Sequence, residues 1–215
     1  MVIVAVGYYL RYNLSYRDVS EILSERGIDV CHTTAYRWVQ EYSQVAYYLW
    51  KKRNRLARDS WLMDETCIKV KGKWHYLYRS IDSSGMTLDI WLRKKRDTRA
   101  AYAFFKRLIK QFGEPRVIVA DKAPSLSSAI RQLRSNGCLK DTRHQTSKYL
   151  NNIIEQDHRP IIKKRHKSYR SIGTASNTIK GMKTIHALYK KSRKDGNLFG
   201  FSACSELKQL MGFPA

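Results

Sequence analysis

The chain has 215 residues, 43% of them hydrophobic and 27% charged, which suits one sizeable core with a small appended module and excludes disorder throughout. Forty-one Lys and Arg stand against 18 Asp and Glu, a formal +23 that solubility does not require, so a polyanion, nucleic acid by default, is the expected partner. No apolar run reaches the roughly 18 to 20 residues that span a bilayer. The apolar start, Met1 to Leu10, has no basic residue ahead of it and no small-residue cleavage site after it, so the expectation is a soluble intracellular protein with no membrane partner. Cys31, Cys67, Cys138 and Cys204 form no CxxC pair and have no His at zinc-finger spacing, and they read as reduced, inert thiols. The charge is uneven: residues 156–215 carry 13 basic and 3 acidic side chains.

The first fifty residues read as helices. Ser15 to Asp18 is a capping-box-like start, Val19, Ile22 and Leu23 recur at helical spacing, and Gly27 supplies a stop. Thr33 or Thr34 then caps a second short helix whose Ala35, Trp38 and Val39 face inward while Arg37 and Gln40 face out. This is a helix-turn-helix pattern, with a recognition element at about residues 33–42 that can set Arg37, Gln40 and Tyr36 at base edges or phosphates. An unrelated helical hairpin has the same periodicity. Residues 51–60, basic and without strong period, read as a linker or as the solvated end of a helix.

From Trp61 the period changes to 2. Leu62, Asp64, Thr66, Ile68 and Val70 share a strand face, Gly72 turns the chain, and Trp74 to Asp82 and Thr87 to Arg93 follow as strands joined around Gly85. Three strands with short turns predict an antiparallel meander. Ala100 to Phe112 reads as an amphipathic helix, Arg116 to Ala120 as a short strand ending in Asp121, and Ser125 to Arg134 as another helix; the order predicts an α/β domain with a mixed sheet. Tyr149 to Arg159 and Thr174 to Arg193 read as further helices, the first stopped by Pro160.

Three acids stand out. Asp64 is on the inward face of an apolar strand, where a carboxylate is costly unless paired or metal-bound. Asp121 ends an apolar run at a strand's carboxyl end, although on local sequence alone a turn or N-cap role ahead of Pro124 is the better reading. Glu155 shares a helical face with Asn151, Asn152, His158 and Arg159; by itself it reads as a solvated Glu. Together they supply hard oxygen ligands suited to Mg²⁺ or Mn²⁺, and on a polyanion-binding chain such a set suggests two-metal phosphoryl transfer.

Asp121 follows Asp64 by 57 positions and Glu155 follows Asp121 by 34. This spacing resembles the DDE transposase and retroviral-integrase superfamily. More closely, MDET at 63–66, IKVKG at 68–72, WHYLYR at 74–79, LDIWLR at 88–93, YLNN at 149–152 and EQDHR at 155–159 are similar to the bacterial insertion-sequence-six transposases. The likeness extends to YRD at 16–18, Thr33, Thr34 and YRWV at 36–39. It implies a ribonuclease-H-like catalytic domain (61–193) behind a small all-α helix-turn-helix module (1–50) and a basic linker (51–60), with a C-terminal tail at 194–215. It further implies that Asp64, Asp121 and Glu155 bind a pair of Mg²⁺ or Mn²⁺ ions in the bacterial cytoplasm, at the nucleoid.

The implied reaction is hydrolysis at the element's terminal inverted repeats to free a 3′-OH, which then attacks target DNA, with no covalent enzyme intermediate. Two ends must be held together, so a homodimer or higher oligomer on double-stranded DNA is expected. Expected DNA contacts are Thr34, Tyr36, Arg37, Gln40, Lys122, His158, Arg159, Lys163, Lys164 and Arg165. Two departures stand out: the family usually has Lys or Arg seven residues after the Glu, where this chain has Ile162 and then Lys163, and it usually has a short stretch before the helix corresponding to Val4–Tyr12, so that Met1 reads as an internal or truncated start. An alternative is a truncated, non-catalytic repressor that occupies the repeats, and a third class is a structure-specific nuclease, which would not need the helix-turn-helix. Glu65, on the opposite strand face from Asp64, is the weaker ligand candidate, and Asp82 and Asp89 are expected at strand ends near turns. Trp61, Trp74 and Trp91 are assigned to sheet packing, and the basic runs 93–96 and 163–167 to DNA backbone contact.

Overall fold

The computed structural model describes residues 1–121, 123–146, 154, 157, 169–194 and 202–213. They fall into two compact units, Met1–Arg53 with Gly173–Ala215, and Asn54–Ile172.

The first unit is helical. It opens with α1 (Val2–Arg11) and α2 (Tyr16–Ser24), and α2 begins with the expected capping box: Ser15 Oγ accepts from the Asp18 amide and Asp18 Oδ2 accepts from the Ser15 amide at 2.7 Å. Gly27, at φ 73°, supplies the left-handed turn after it. The third helix, α3 (His32–Arg53), runs 22 residues, far past the end at about residue 42 that the sequence suggests. The basic residues Lys51, Lys52 and Arg53 are its last turn.

This unit takes in more chain than the sequence reading assigns it. The helix α6 (Ile172–Lys194), expected to belong to the catalytic domain, and the helix α7 (Ala203–Leu210), expected as tail, cluster with α1 to α3. The reason is packing that a single helix cannot announce. Gln40 donates to Thr178 Oγ1 at 3.0 Å, the Arg11 guanidinium lies 4.0 Å from the Tyr189 ring centre, and Arg53 reaches the Gln209 carbonyl at 3.4 Å. At Gly181 the backbone of α6 comes so close to α3 and α1 that a Cβ would stand 2.5 Å from Ser43 Oγ and 2.9 Å from Leu10 Cδ1.

The second unit is built on a five-stranded sheet ordered β3-β2-β1-β4-β5. Its strands are β1 (Ser60–Val70), β2 (Lys73–Asp82), β3 (Thr87–Arg93), β4 (Val117–Ala120) and β5 (Arg143–Thr146). The meander β1-β2-β3 is antiparallel as expected; β4 and β5 run parallel to β1 and to β4 respectively. The crossovers carry α4 (Thr98–Phe112) and α5 (Pro124–Ser135), capped by Asp97, which accepts from the Ala100 amide at 2.7 Å, and opened by Pro124 at the first turn. Three antiparallel strands followed by two parallel ones in this order make the ribonuclease-H-like mixed sheet.

Each face of the sheet has its own core. Trp61, Met63, Tyr78, Ile118 and Ala120 pack with Phe104, Leu108, Leu126 and Ile130 of α4 and α5. On the other face Leu62, Ile81 and Val119 pack with Ile154. The segment 54–59 is tied into this unit: Asn54 Nδ2 donates to the Thr87 carbonyl at 3.0 Å, and Gln111 Nε2 to the Asn54 carbonyl at 2.7 Å. Asp82 ends β2 as expected, but Asp89 lies inside β3, fully buried, where Arg107 reaches it at 2.9 Å. The helix expected at 149–159 lies outside the described residues, apart from Ile154 and Asp157. No helix among the described residues is long and apolar enough to cross a membrane.

If α6 closes the helical unit through Gly181, then Gly181→Ala forces Ser43 and Leu10 apart. It is expected to lower stability by about 1–3 kcal/mol, read as a reduced urea midpoint with an unchanged slope.

Candidate active site

The site begins with the register of β1 and β4. Their last paired residues are Met63 and Ala120. One step further along each chain stand Asp64 and Asp121, on neighbouring backbones about 4.8 Å apart by the usual strand spacing. By strand alternation both continue the face of Leu62 and Val119, the face that packs on Ile154.

Asp64 is buried, and its partner comes from the hairpin. The antiparallel register sets Arg79 directly opposite Asp64, and the Arg79 guanidinium, itself 3% exposed, donates through Nη2 to Asp64 Oδ2. The Thr66 hydroxyl donates to the same oxygen at 2.9 Å, and Nη2 also reaches Thr66 Oγ1 at 3.1 Å. Asp64 Oδ1 has no bond among the described residues. Arg79 Nη1 points the other way and donates to the Ile154 carbonyl at 3.1 Å. One guanidinium therefore joins the first acid to the backbone of the residue that precedes Glu155 in the chain.

Asp121 is half-buried just past β4, and its Oδ1 accepts from the Ala123 amide at 3.1 Å. The turn role expected from local sequence is present, and it holds one carboxylate oxygen while Oδ2 has no bond among the described residues.

Glu65, the weaker candidate, does point to the opposite face, but it is not an idle surface acid. Its side chain is 1% exposed, accepts from Arg96 Nε at 2.6 Å and from Ser125 Oγ at 3.1 Å, and so braces the first turn of α5 immediately after Asp121. Burial and then the Glu65 charge push the neighbouring Tyr78 phenol well above its ordinary range. Burial works against the charge on Arg96, yet the bond to Glu65 and the fields of Glu65 and Asp121 outweigh it and raise its pKa. Of the basic run 93–96, Arg96 is thus committed to Glu65, Arg93 lies 4.4 Å from the Trp91 ring centre, and Lys94 and Lys95 are exposed.

Asp64 and Asp121, past the last pair of neighbouring strands, each keep one hard carboxylate oxygen unbonded among the described residues, donors of the kind that fits a divalent cation such as Mg²⁺ or Mn²⁺. Among the described residues no third His, Cys, Asp or Glu joins them. Glu155 lies outside those residues, as do Lys122, His158, Arg159, Lys163, Lys164 and Arg165, and with them Ile162 and the shifted lysine.

In the helical unit, Arg37 is exposed, Thr34 is half-buried, and Tyr36 is half-buried with its ring edge-on to Tyr16 at 5.3 Å. Gln40 departs from expectation: its amide is taken up by Thr178 and does not face out as a base-reading group. Trp61 is buried and Trp91 sits between Arg93 and Arg107, as packing residues should, but Trp74 is 59% exposed, contrary to its assignment to packing.

Sequence reasoning missed Arg79 and undervalued Glu65. The signal for Arg79 was available: counting outward from the turn Lys71-Gly72 pairs it with Asp64.

Residues 58–192 match the family of the DDE domain of IS240-type transposases. The transposase for insertion sequence-like element IS431mec of Staphylococcus aureus (strain Mu50) is 57% identical over 211 residues, covering 98% of this chain and 94% of that protein. The transposase for insertion sequence element IS257 in transposon Tn4003 of Staphylococcus aureus matches at the same identity and coverage. Among solved structures, the HTLV-2 integrase catalytic core domain in complex with magnesium is 21% identical with a TM-score of 0.42, covering 60% of this chain and 86% of that one. With the DDE match across most of the chain and near full-length likeness to insertion-sequence transposases, this chain belongs to the DDE transposases of bacterial insertion sequences, in the insertion-sequence-six family.

Proposed function

We propose that this transposase binds the terminal inverted repeats of its element and catalyses metal-dependent 3′-end cleavage followed by strand transfer into target DNA. The observation that carries the reading is that Asp64 and Asp121 each stand one residue past the last pair of the β1–β4 ladder, with Ile154 packed on the Leu62 and Val119 face and bonded through its carbonyl to Arg79. That arrangement supports Glu155, the next residue in the chain, as the third acid.

Each residue has a separable task. Asp64 Oδ1 and Asp121 Oδ2 offer the oxygens that would hold the cation, while Arg79 and Thr66 orient Asp64 through Oδ2. Glu65 and Ser125 fix the turn that presents Asp121. A bound pair of Mg²⁺ or Mn²⁺ ions supplies an activated water and charge stabilisation at the scissile phosphate. In the first step a water oxygen bonds to phosphorus as the bond to the 3′-oxygen breaks, and that oxygen leaves with a proton as a 3′-OH. In the second step this 3′-oxygen attacks a target phosphodiester, whose own 3′-oxygen leaves. No side-chain nucleophile is needed, so the fourteen tyrosines are free for packing and DNA contact.

The helical unit is assigned to repeat recognition, with exposed Arg37 as its leading contact and Thr34 and Tyr36 beside it. Lys122, His158, Arg159, Lys163, Lys164 and Arg165 are assigned to DNA around the acids, and a dimer or higher oligomer to the pairing of two ends in the bacterial cytoplasm. The excess of positive charge supports all three assignments.

The direct test is a duplex carrying the element's terminal repeat, incubated with Mg²⁺ or Mn²⁺. Wild type is expected to generate and join a 3′-OH end, while Asp64→Asn, Asp121→Asn and Glu155→Gln fall to background in both steps and still bind the duplex. Repeat binding by wild type without any cleavage would instead identify a repressor. Arg79→Gln leaves Asp64 as a buried carboxylate without its counter-charge, a change that costs about 3–5 kcal/mol in comparable sites. A lowered melting temperature is expected, partly restored in Arg79→Lys, which keeps the charge and loses the fork that reaches both Asp64 and Ile154.

A further inference from the structure

The β1–β2 hairpin outruns its sheet. β1 pairs with β4 only over Ser60–Met63, and β2 pairs with β3 only from Tyr76 onward, whereas β1 and β2 continue to pair with each other as far as Val70 and Lys73. Residues 68–75 therefore form a two-stranded ribbon beyond the last contacts of the other strands. The turn at its tip has two residues, Lys71 at φ 47° and Gly72 at φ 76°, the double left-handed geometry that suits a tight hairpin.

The two faces of this ribbon differ. Ile68, Val70 and His75 are buried on one, while Cys67, Lys69 and Trp74 are exposed on the other. Trp74 is the only exposed tryptophan of the five, and Lys69, directly opposite it in the register, holds its ammonium 5.7 Å from the indole centre. Lys71, in the turn, is exposed next to it, Lys73 is exposed on the opposite face across from Val70, and no acidic residue occurs between Glu65 and Asp82.

We propose that this ribbon is a stacking platform for single-stranded DNA, such as the unpaired bases of a frayed or freshly cut end. Trp74 takes a base on its open ring, and Lys69 and Lys71 take the flanking phosphates. An exposed indole gains nothing from water but offers a flat surface to any base, and ammonium groups around it match the backbone; this is the combination that binds single strands without sequence preference. An indole is also a donor only, so it lacks the paired hydrogen-bonding edge that reads a base within a duplex groove. The proposal rests on the transposase reading, because the occupant is taken to be DNA.

The experiment uses the full chain in EDTA, which prevents cleavage, with fluorescein-labelled oligodeoxythymidine and a blunt duplex as probes in fluorescence anisotropy. Trp74→Ala is expected to weaken oligodeoxythymidine binding about tenfold, within the range that one base–aromatic stack supplies, with little effect on the duplex. Trp74→Phe should retain most of the affinity. Replacing Lys69 and Lys71 together by Gln should lower the slope of log affinity against log salt by about 1.4, since each single-strand phosphate contact contributes about 0.7. Circular dichroism and melting temperature should not change, because the replaced atoms lie outside the core.

Unchanged oligodeoxythymidine binding by Trp74→Ala overturns the proposal, as does an equal loss on the blunt duplex. A shift in sedimentation of Trp74→Ala without DNA overturns it in favour of an interface with a second copy. Metal-dependent cleavage is scored separately with wild type and Asp121→Asn: a silent Trp74 with intact cleavage removes the platform and keeps the transposase, and a Trp74-dependent single-strand affinity without cleavage does the reverse.

Discussion

The catalytic unit depends on one burial problem and its solution. A carboxylate on the inward face of a central strand loses its water, and an unpaired charge there would cost more than the neighbouring apolar contacts supply. Here the compensating charge is built into the adjacent strand, so that folding the β1–β2 hairpin in its correct register and neutralising Asp64 are the same event. A slip of one residue would put Arg79 on the opposite face and leave the acid stranded. The register of the whole meander is thus tied to the chemistry it serves.

Because the guanidinium is forked, the same residue also reaches the Ile154 carbonyl. Glu65, the very next residue after Asp64, works on the other side of the sheet, through Ser125 and Arg96. Two consecutive residues of one strand therefore control two layers. The strand's period of 2 makes this possible: one side chain serves the face that packs on Ile154 while its neighbour fixes the helix that follows Asp121.

Much of this was legible in advance, for identifiable reasons. The three meander strands announced themselves by alternation, and Asp64 by being the one charge on the inward face of β1, among Leu62, Thr66, Ile68 and Val70. β5 did not: Arg143 to Thr146 has no alternation, and the strand is set by pairing with β4 and by Glu114 Oε1, which gathers the amides of Lys140, Asp141 and Thr142 just before it. Trp74 misled because periodicity assigns a residue to a face without saying how far along the strand that face stays covered. Tyr78, on the same face, lies under Phe104; Trp74 lies beyond the cover. The outward face expected of Gln40 and the unit to which α6 belongs departed for a related reason, although α6 itself was legible as a helix. A helical period tells which residues share a stripe, but not which distant helix will lie against it.

The helical unit, finally, is assembled from both ends of the chain, with the whole mixed-sheet unit inserted between Arg53 and Gly173. During synthesis α1 to α3 emerge first, yet the surfaces around Leu10 and Ser43 receive Gly181 only after the catalytic unit has left the ribosome. These helices reach their final packing last, although they are made before the mixed-sheet unit. A nascent or prematurely terminated chain would carry α1 to α3 without α6 and α7, and so without the close packing that Gly181 brings to Leu10 and Ser43.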